Sequence, residues 1–418
     1  MTPGRGGSAE TSFATTMGLA KLARMIYHGV DRKPVVSSLT SRVNADSRDA
    51  AALMDLSMIA QLTGDRELGL AIQSRALEVT RIFRCIHGTG EGLRLLALFT
   101  PGDFMANTPL DFLLDGSDVS VYYVYTTAGT PLPPELPDHD VAFVGVAESD
   151  ANKALLGELA GVASSWPHPV INRRARAIAE LTRDQTWELF ESSHDVAAPR
   201  NVRVNRRDLL RVTDGSTSLG ELLSLEFPVI VRPLDSHAGQ GLAKIDNAPG
   251  LQSYVVGSDA DVFYMAPYID YRSADGQFRK YRIVFIAGRA YIVHLAISDN
   301  WMVHYLNAGM HESVEKRGEE AECMESFDEG FCVRHGAAFE QLVTRIGLDY
   351  FAVDCAETRD GSVLLFEVGT GMIVHAMDLG DIFPYKQIQM KKIFTAFLGM
   401  LGAAAERGNA SRVEAARA

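Results

Sequence analysis

The sequence predicts a mixed α/β protein: a helical hairpin at the front, a small parallel α/β domain behind it, and an α+β C-terminal part. Three observations carry this. Apolar residues recur at helical spacing between residues 47 and 84. Short apolar runs then alternate with a helical stretch between residues 93 and 171, the pattern of a parallel sheet. From residue 227 onward, apolar runs are joined by Gly-rich and Asp-Gly turns, the signature of antiparallel hairpins.

Composition fits this class. With 418 residues, 47% hydrophobic and 22% charged, the chain is long enough for two or three domains with their own cores. A net charge of −13 argues against a nonspecific nucleic-acid binder, whose footprint is a basic stripe, so no nucleic-acid partner is expected. Cys85, Cys323, Cys332 and Cys355 form no metal-ligand spacing, and nothing at the start resembles a signal peptide. These features predict reduced thiols in a cytoplasm. No apolar run approaches the roughly 20 residues that span a bilayer, so no membrane partner is expected. Met17 to Val30 is too short and is interrupted by Lys21 and Arg24.

Taken in order, residues 1–15 are rich in Gly, Ser and Thr and are expected to be disordered. From Ser47 to Arg84, Leu53, Leu56, Ile59 and Ala60 make one helical stripe, and Leu70, Ala76, Leu77 and Val79 a second, broken by Thr63-Gly64-Asp65. The pair is read as a helical hairpin packed on the main body. The alternative is a docking arm for a homodimer or protein partner.

Leu93–Phe99, Val119–Tyr125 and Val141–Val146 read as strands, followed by the helix Ala151–Val162 and the short strand Pro169–Ile171. The first strand-to-helix loop lacks G-x-G-x-x-G, so no dinucleotide site is supported. Arg176 to Ser192 reads as one helix, and Val229-Ile230-Val231 as a buried strand by its β-branching.

Chemistry concentrates after that strand. Arg232 ends it, and Ser236-His237-Ala238-Gly239-Gln240-Gly241 follows as a small-residue turn whose N–H groups can face an anion. A plain hairpin is the alternative. Val262 to Asp270, with Tyr264, Met265 and Tyr268, reads as an apolar strand that lines an adenine slot or simply belongs to the core. Arg272, Lys280 and Arg282 then bring cations into an acidic protein and suggest an anionic substrate; Arg282 and His294 interrupt apolar runs where a solvated charge is out of place. Ser298 to Met310, with His304 and Asn307, is read as an acceptor or carboxylate pocket or a packed connector. The following helix, Glu312 to Glu325, is expected to be solvated.

Two apolar runs, Leu348–Ala356 and Val363–Val368, flank Asp360-Gly361. Pairing outward from a two-residue loop sets Asp354 opposite Glu367, with Phe351, Val353, Cys355, Leu364, Phe366 and Val368 on the other face. Like charges so placed repel, and a hard cation between them removes the repulsion. A solvent-exposed acidic pair is the other reading.

This order of parts, from FPVIVRP through the glycine loop, the apolar strand and the arginine-bearing strand to Asp354 and Glu367, resembles the ATP-grasp superfamily. It lies near D-alanine:D-alanine ligase, glutathione synthetase and the ligases that add glutamate to a ribosomal protein. Pro169 to Arg173 and Leu181 to Asp184 are similar to the family's junction segments. The helices resemble a single tetratricopeptide repeat through Leu53, Leu56, Ser57, Ala60, Gly64, Gly69, Ala76 and Leu77. The implied organisation is a helical segment over 16–90, a pre-ATP-grasp domain over 91–175, a two-subdomain ATP-grasp domain over 176–402 and a tail over 403–418.

The resemblance implies ATP and Mg²⁺ as cofactors, with Asp354 and Glu367 as metal ligands and Arg282 facing the γ-phosphate. Arg232 takes the place of a phosphate-binding lysine, and the loop from Ser236 to Gly241 folds over ATP. His294, His304 and His375 are candidates for acceptor deprotonation or substrate binding, with Arg272, Lys280, Asn307 and Thr370 as further substrate contacts.

The implied activity is an ATP-dependent carboxylate–amine ligase acting on small-molecule or peptide substrates. The alternatives are a nucleotide-binding scaffold or sensor, and a kinase acting on a hydroxyl. Three departures bear on this: Gly369 replaces the asparagine of the family's Glu-x-Asn, Gln185 replaces a lysine, and Pro267 replaces a hinge glutamate. The missing metal ligand calls for Thr370, a water or a group from elsewhere.

Overall fold

The computed structural model describes residues 13–234, 236 and 239–417; His237 and Ala238 of the expected loop lie outside them. The fold is mixed α/β, as expected, with fifteen strands in three sheets among the described residues.

The first sheet contains β1 (Ala14–Thr16), β2 (Ile82–Ile86), β3 (Arg94–Phe99), β4 (Ser120–Tyr125), β5 (Val141–Val144) and β6 (Val170–Ile171), in the order β1-β2-β4-β3-β5-β6. Strands β4, β3, β5 and β6 are parallel, as the alternating pattern predicts, but β2 runs antiparallel to β4. Ala14 and Thr15, expected to be disordered, pair with Phe83 and Arg84. The expected division at residue 90 therefore places two strands of this sheet on the wrong side.

Four helices lie between β1 and β2: α1 (Leu19–Tyr27), α2 (Lys33–Ala45), α3 (Ala50–Leu62) and α4 (Arg66–Val79). Asp49 and Asp65 cap α3 and α4 by accepting from Ala52 N and Leu68 N at 3.0 and 3.1 Å. Where these helices cross, a Cβ on Gly69 would stand 3.0 Å from the Ser57 carbonyl, so the close approach needs glycine. Leu19, Ala20 and Ala23 of α1 pack with Phe112 and Met377, seating the helices on the main body.

The short β7 (Val196–Ala197) edges the third sheet. The second sheet is antiparallel, β10-β9-β11-β8, formed by β8 (Val202–Asn205), β9 (Val229–Pro233), β10 (Ala243–Ile245) and β11 (Val262–Pro267). Val229, Val231, Phe263 and Met265 bury one face in a small core of its own, leaving Ile230, Arg232, Tyr264 and Ala266 on the other.

The third sheet is β13-β12-β14-β15-β7, formed with β12 (Phe278–Ile286), β13 (Arg289–Ser298), β14 (Tyr350–Glu357) and β15 (Val363–Gly369). One core runs without a break from Leu96 and Phe143 of the first sheet to Phe285 and Phe351 of the third. The final helix, Pro384–Arg417, stitches them together: Phe397 meets Phe143 and Tyr350 at ring-centroid distances of 6.0 and 5.5 Å. That helix runs through the region expected to be a tail. Residues of the second and third sheets line one cleft between them.

Two further helix expectations change. Arg176 to Ser192 is two helices, Ala175–Ala179 and Arg183–Phe190, separated at Leu181-Thr182. The acidic helix Val314–Glu325 is not solvated throughout, because Glu320 is fully buried and accepts from Tyr305 and Tyr385 at 2.8 and 2.6 Å. Among the described residues no helix is long and apolar enough to cross a membrane.

Candidate functional site

Between the two facing sheets is a cavity of about 470 Å³. Ile230, Tyr264, Ala266, Pro267, Tyr268 and Leu242 make an apolar wall at one side, and Trp301, Met302 and Phe366 continue it. The charged side is built by strand pairing. Arg282 on β12 stands opposite Asp354 on β14, which stands opposite Glu367 on β15, so three strands deliver three charged groups in one row.

Glu367 reaches that row by an irregularity. Near the turn the pairing is Glu357 with Val363 and Cys355 with Leu365, one residue out of the register expected from a two-residue loop. The register shifts between Asp354 and Cys355, with Phe366 as the extra residue, and Asp354 regains Glu367 as its partner. As a consequence Leu364 and Phe366 line the cavity, while Leu365 takes the place of Phe366 opposite Cys355.

Asp354 is 3% exposed and holds two cations, Arg282 Nε and Nη2 at 2.8 and 3.0 Å and Lys280 Nζ at 2.8 Å. Burial would raise its pKa, but Arg282 and Lys280 hold the carboxyl far below the usual range. Glu367 pairs with Arg183 Nη2 at 2.7 Å; burial again opposes ionisation, and Arg183 and Arg232 override it. Arg232 is 8% exposed, and burial with Arg183 nearby brings its pKa down to about 10. Its Nε donates to Ser236 Oγ at 3.0 Å, tying the glycine turn to the strand. Gly241 closes that turn at φ 65°, where a Cβ would press on Pro233.

Of the residues expected from sequence, Arg232, Gly239, Tyr264, Tyr268, Lys280, Arg282, His304, Asp354 and Glu367 line this one cavity. The others do not. Met265 points into the core of the second sheet, because alternation along β11 sends its neighbours Tyr264 and Ala266 inward instead. Arg272 pairs with Asp270 on the outside. Asn307 caps a short turn at His304 N.

His294 packs on Tyr305 at 4.7 Å, and burial together with Arg282 and Lys386 drives its pKa well down. His294 stands on β13 opposite Arg282 and does not line the cavity. His375 is held between Tyr27 and Phe112. His304 faces the cavity with Nδ1 accepting from Leu306 N at 3.3 Å; in the neutral ring this assigns the proton to Nε2, a donor toward a ligand.

Sequence reasoning missed Arg183 and Glu148. Arg183 begins its helix and enters the cavity, supplying a cation there. Glu148 follows β5 at its C-terminal end, where parallel sheets gather their ligands; that position was the available signal. Its carboxyl is raised to about 7 by burial, with the backbone N–H of Thr370 opposing and Glu367 adding to the shift.

Mg²⁺ fits this donor set. Asp354 and Glu367 face each other across β14 and β15 as hard oxygen donors, Glu148 lines the same cavity without joining them in one three-ligand cluster, and Thr370 Oγ1 is buried with no partner among the described residues. The cations Arg183, Arg232, Lys280 and Arg282 line the same cavity, so acidic and basic groups meet in it.

No protein-family model matches the chain, and no curated protein matches its sequence. Its arrangement is similar to the RimK domain protein ATP-grasp of Sphaerobacter thermophilus, at 17% identity over 72% of this chain and 98% of that one, with a TM-score of 0.40. It is also similar to the D-alanine–D-alanine ligase of Bacillus anthracis complexed with ATP, at 12% identity over 76% and 99%, TM-score 0.44. The D-alanine–D-alanine ligase of Coxiella burnetii gives 11% identity over 78% and 100%, TM-score 0.46.

Proposed function

We propose that this protein is an ATP-dependent carboxylate–amine ligase that forms an amide or peptide bond, using ATP with Mg²⁺. The reading rests above all on the row Arg282–Asp354–Glu367, flanked by Lys280, Arg183 and Arg232, at the end of an apolar slot. Tyr264, Ala266 and Tyr268 would hold the adenine there, and the charged wall would hold the phosphates.

A substrate carboxylate oxygen attacks the γ-phosphorus while the bond to the β–γ bridging oxygen breaks, giving an acyl-phosphate and ADP. An amine then adds to the acyl carbon, phosphate leaves with the bonding pair, and the nitrogen loses a proton. Mg²⁺, held by Asp354 and Glu367, supplies charge neutralisation on the phosphates. Arg282 and Lys280 face the transferred group, Arg232 and Arg183 hold the remaining phosphates, and His304 donates from Nε2 to the substrate. The cation-rich wall favours a substrate that brings a further carboxylate.

One observation favours a second reading, a nucleotide-binding scaffold or sensor: Gly369 leaves β15 without the second family ligand. The deciding measurement is ADP and phosphate release with Mg²⁺-ATP and pooled amino acids and peptides, with products read by mass spectrometry. The ligase reading expects acceptor-dependent release and a condensation product, both lost in the Asp354→Asn, Glu367→Gln variant. ATP binding without turnover on any acceptor supports the sensor, and a phosphorylated acceptor indicates a kinase.

A further inference from the structure

We propose that Cys85, His87 and Asp111 form a zinc site in the first domain, with a water molecule as the fourth ligand. Their ligand atoms all lie within 4.8 Å of one another. None of the three lines the cavity between the second and third sheets, so the site is separate from the one described above.

The fold gathers them from three places. Cys85 lies on β2, and His87 N continues that strand's ladder by donating to Val119 O at 2.9 Å, so these two side chains, two residues apart, share a face. Asp111 comes from the short helix Leu110–Leu113, and the chain entering α1 closes over it, with Leu19 N donating to Asp111 Oδ2 at 2.5 Å. A Cβ on Gly18 would stand 2.5 Å from Cys85 Sγ and 3.2 Å from Asp111 Oδ2, and the φ of 88° at that residue also favours glycine. The backbone thus passes as close to the cluster as it can.

Cys85 Sγ lies 3.9 Å from His87 Nε2, which lies 3.2 Å from Asp111 Oδ1. Ordinary zinc bonds at tetrahedral angles set those separations at about 3.5 and 3.3 Å, so a small inward shift of the sulfur seats the ion. A Cys–His–Asp nucleophile relay matches less well. It uses one ring nitrogen for each partner, whereas His87 presents Nε2 to both. Thiolate and imidazole together select zinc over the hard cations of an all-oxygen site. Tyr123 Oη donates to Asp111 Oδ1, so with Leu19 N both carboxylate oxygens have the outer bonds that orient a ligand. Cys85 and Asp111 are 2% and 3% exposed, and the His87 side chain, 13% exposed, marks the side from which the ion and its water enter. On binding, the Cys85 thiol proton leaves to solvent and the His87 ring keeps its proton on Nδ1. The ion staples the start of α1 and the helix Leu110–Leu113 to β2.

The test uses the untagged full chain freed of metal by a chelator, with Co²⁺ as the probe and Zn²⁺ as its competitor. A single equivalent of Co²⁺ should give thiolate-to-metal charge-transfer absorption and tetrahedral ligand-field bands, both removed by Zn²⁺. Cys85→Ser should abolish the charge-transfer band, while Cys323→Ser and Cys332→Ser should leave it unchanged. His87→Ala alters the most exposed of the three ligands and should weaken Zn²⁺ binding by more than about a hundredfold, beyond what a group outside the ligand sphere costs. Tyr123→Phe should keep the band and weaken binding by about tenfold. Zn²⁺ should raise the melting temperature of the unaltered chain but not of His87→Ala, and melting without metal verifies that each variant folds. Co²⁺ spectra without charge transfer in the unaltered chain would overturn the proposal, as would a band and a Zn²⁺ affinity that survive in His87→Ala.

Discussion

Asp354 and Asp55 are both almost wholly buried carboxyls, 3% and 1% exposed, yet their surroundings push them in opposite directions. Asp354 lies among cations and stays ionised. Among the described residues Asp55 receives only the Met17 N–H, at 3.0 and 3.1 Å, and burial outweighs that bond and lifts its pKa to about 7. In the unfolded chain the group ionises near 3.8, so between that pH and about 7 the folded state binds more protons than the unfolded one. Stability contributed by this group therefore falls as pH rises through that window, by at most about 1.4 kcal/mol per unit. Asp55→Asn keeps an acceptor for Met17 without the charge. Its melting temperature should gain on the unaltered protein between pH 5 and pH 8, and a pH-independent difference would refute the assignment.

At the scale of elements, much of the site could be read from sequence because strand period and turn chemistry are local. The Asp-Gly turn and the alternation of β14 and β15 suggest Asp354 against Glu367, but the pairing begins one residue out of that register and the bulge at Phe366, which no local signal announces, restores it. Glu148 and Arg183 could not be placed that way: no local pattern records which loop of one sheet will meet the edge of another. Asn172 marks that junction. It sits at φ 55° after β6, and its side chain donates to Tyr350 O and accepts from Tyr350 N, both at 2.9 Å, in the manner of an extra strand residue. Asn172→Ala leaves two buried backbone groups unpaired and strains a left-handed position, for a loss of about 3 kcal/mol or more. Asn172→Gly relieves the strain alone, so urea unfolding should rank it between the two, about 1 kcal/mol above alanine. Equal stabilities for the two variants would show that backbone conformation contributes nothing there.

For the whole molecule, the division of the core decides what can move. The first and third sheets share one apolar core, whereas the second sheet owns a separate one and forms one wall of the cavity. Residues 202–267 are thus built to shift as a unit over a fixed floor, and a few polar links restrain them. Arg203 on β8 makes two of them, pairing with Asp184 at 2.8 Å and with Asp150 of the first domain, and it donates within its own sheet to Tyr264 Oη at 2.9 Å. Arg203→Met removes both outward ties without emptying either core. Hydrogen exchange should then rise in 202–267 while the third sheet stays protected, and Mg²⁺ with a non-hydrolysable ATP analogue should restore much of the lost protection by bridging both walls. Affinity for the analogue should fall, because more of the population stands open and binding must draw it closed. Faster exchange spread evenly over all three sheets would mean that the second sheet is not an independent unit, and the two-core division would have no dynamic meaning.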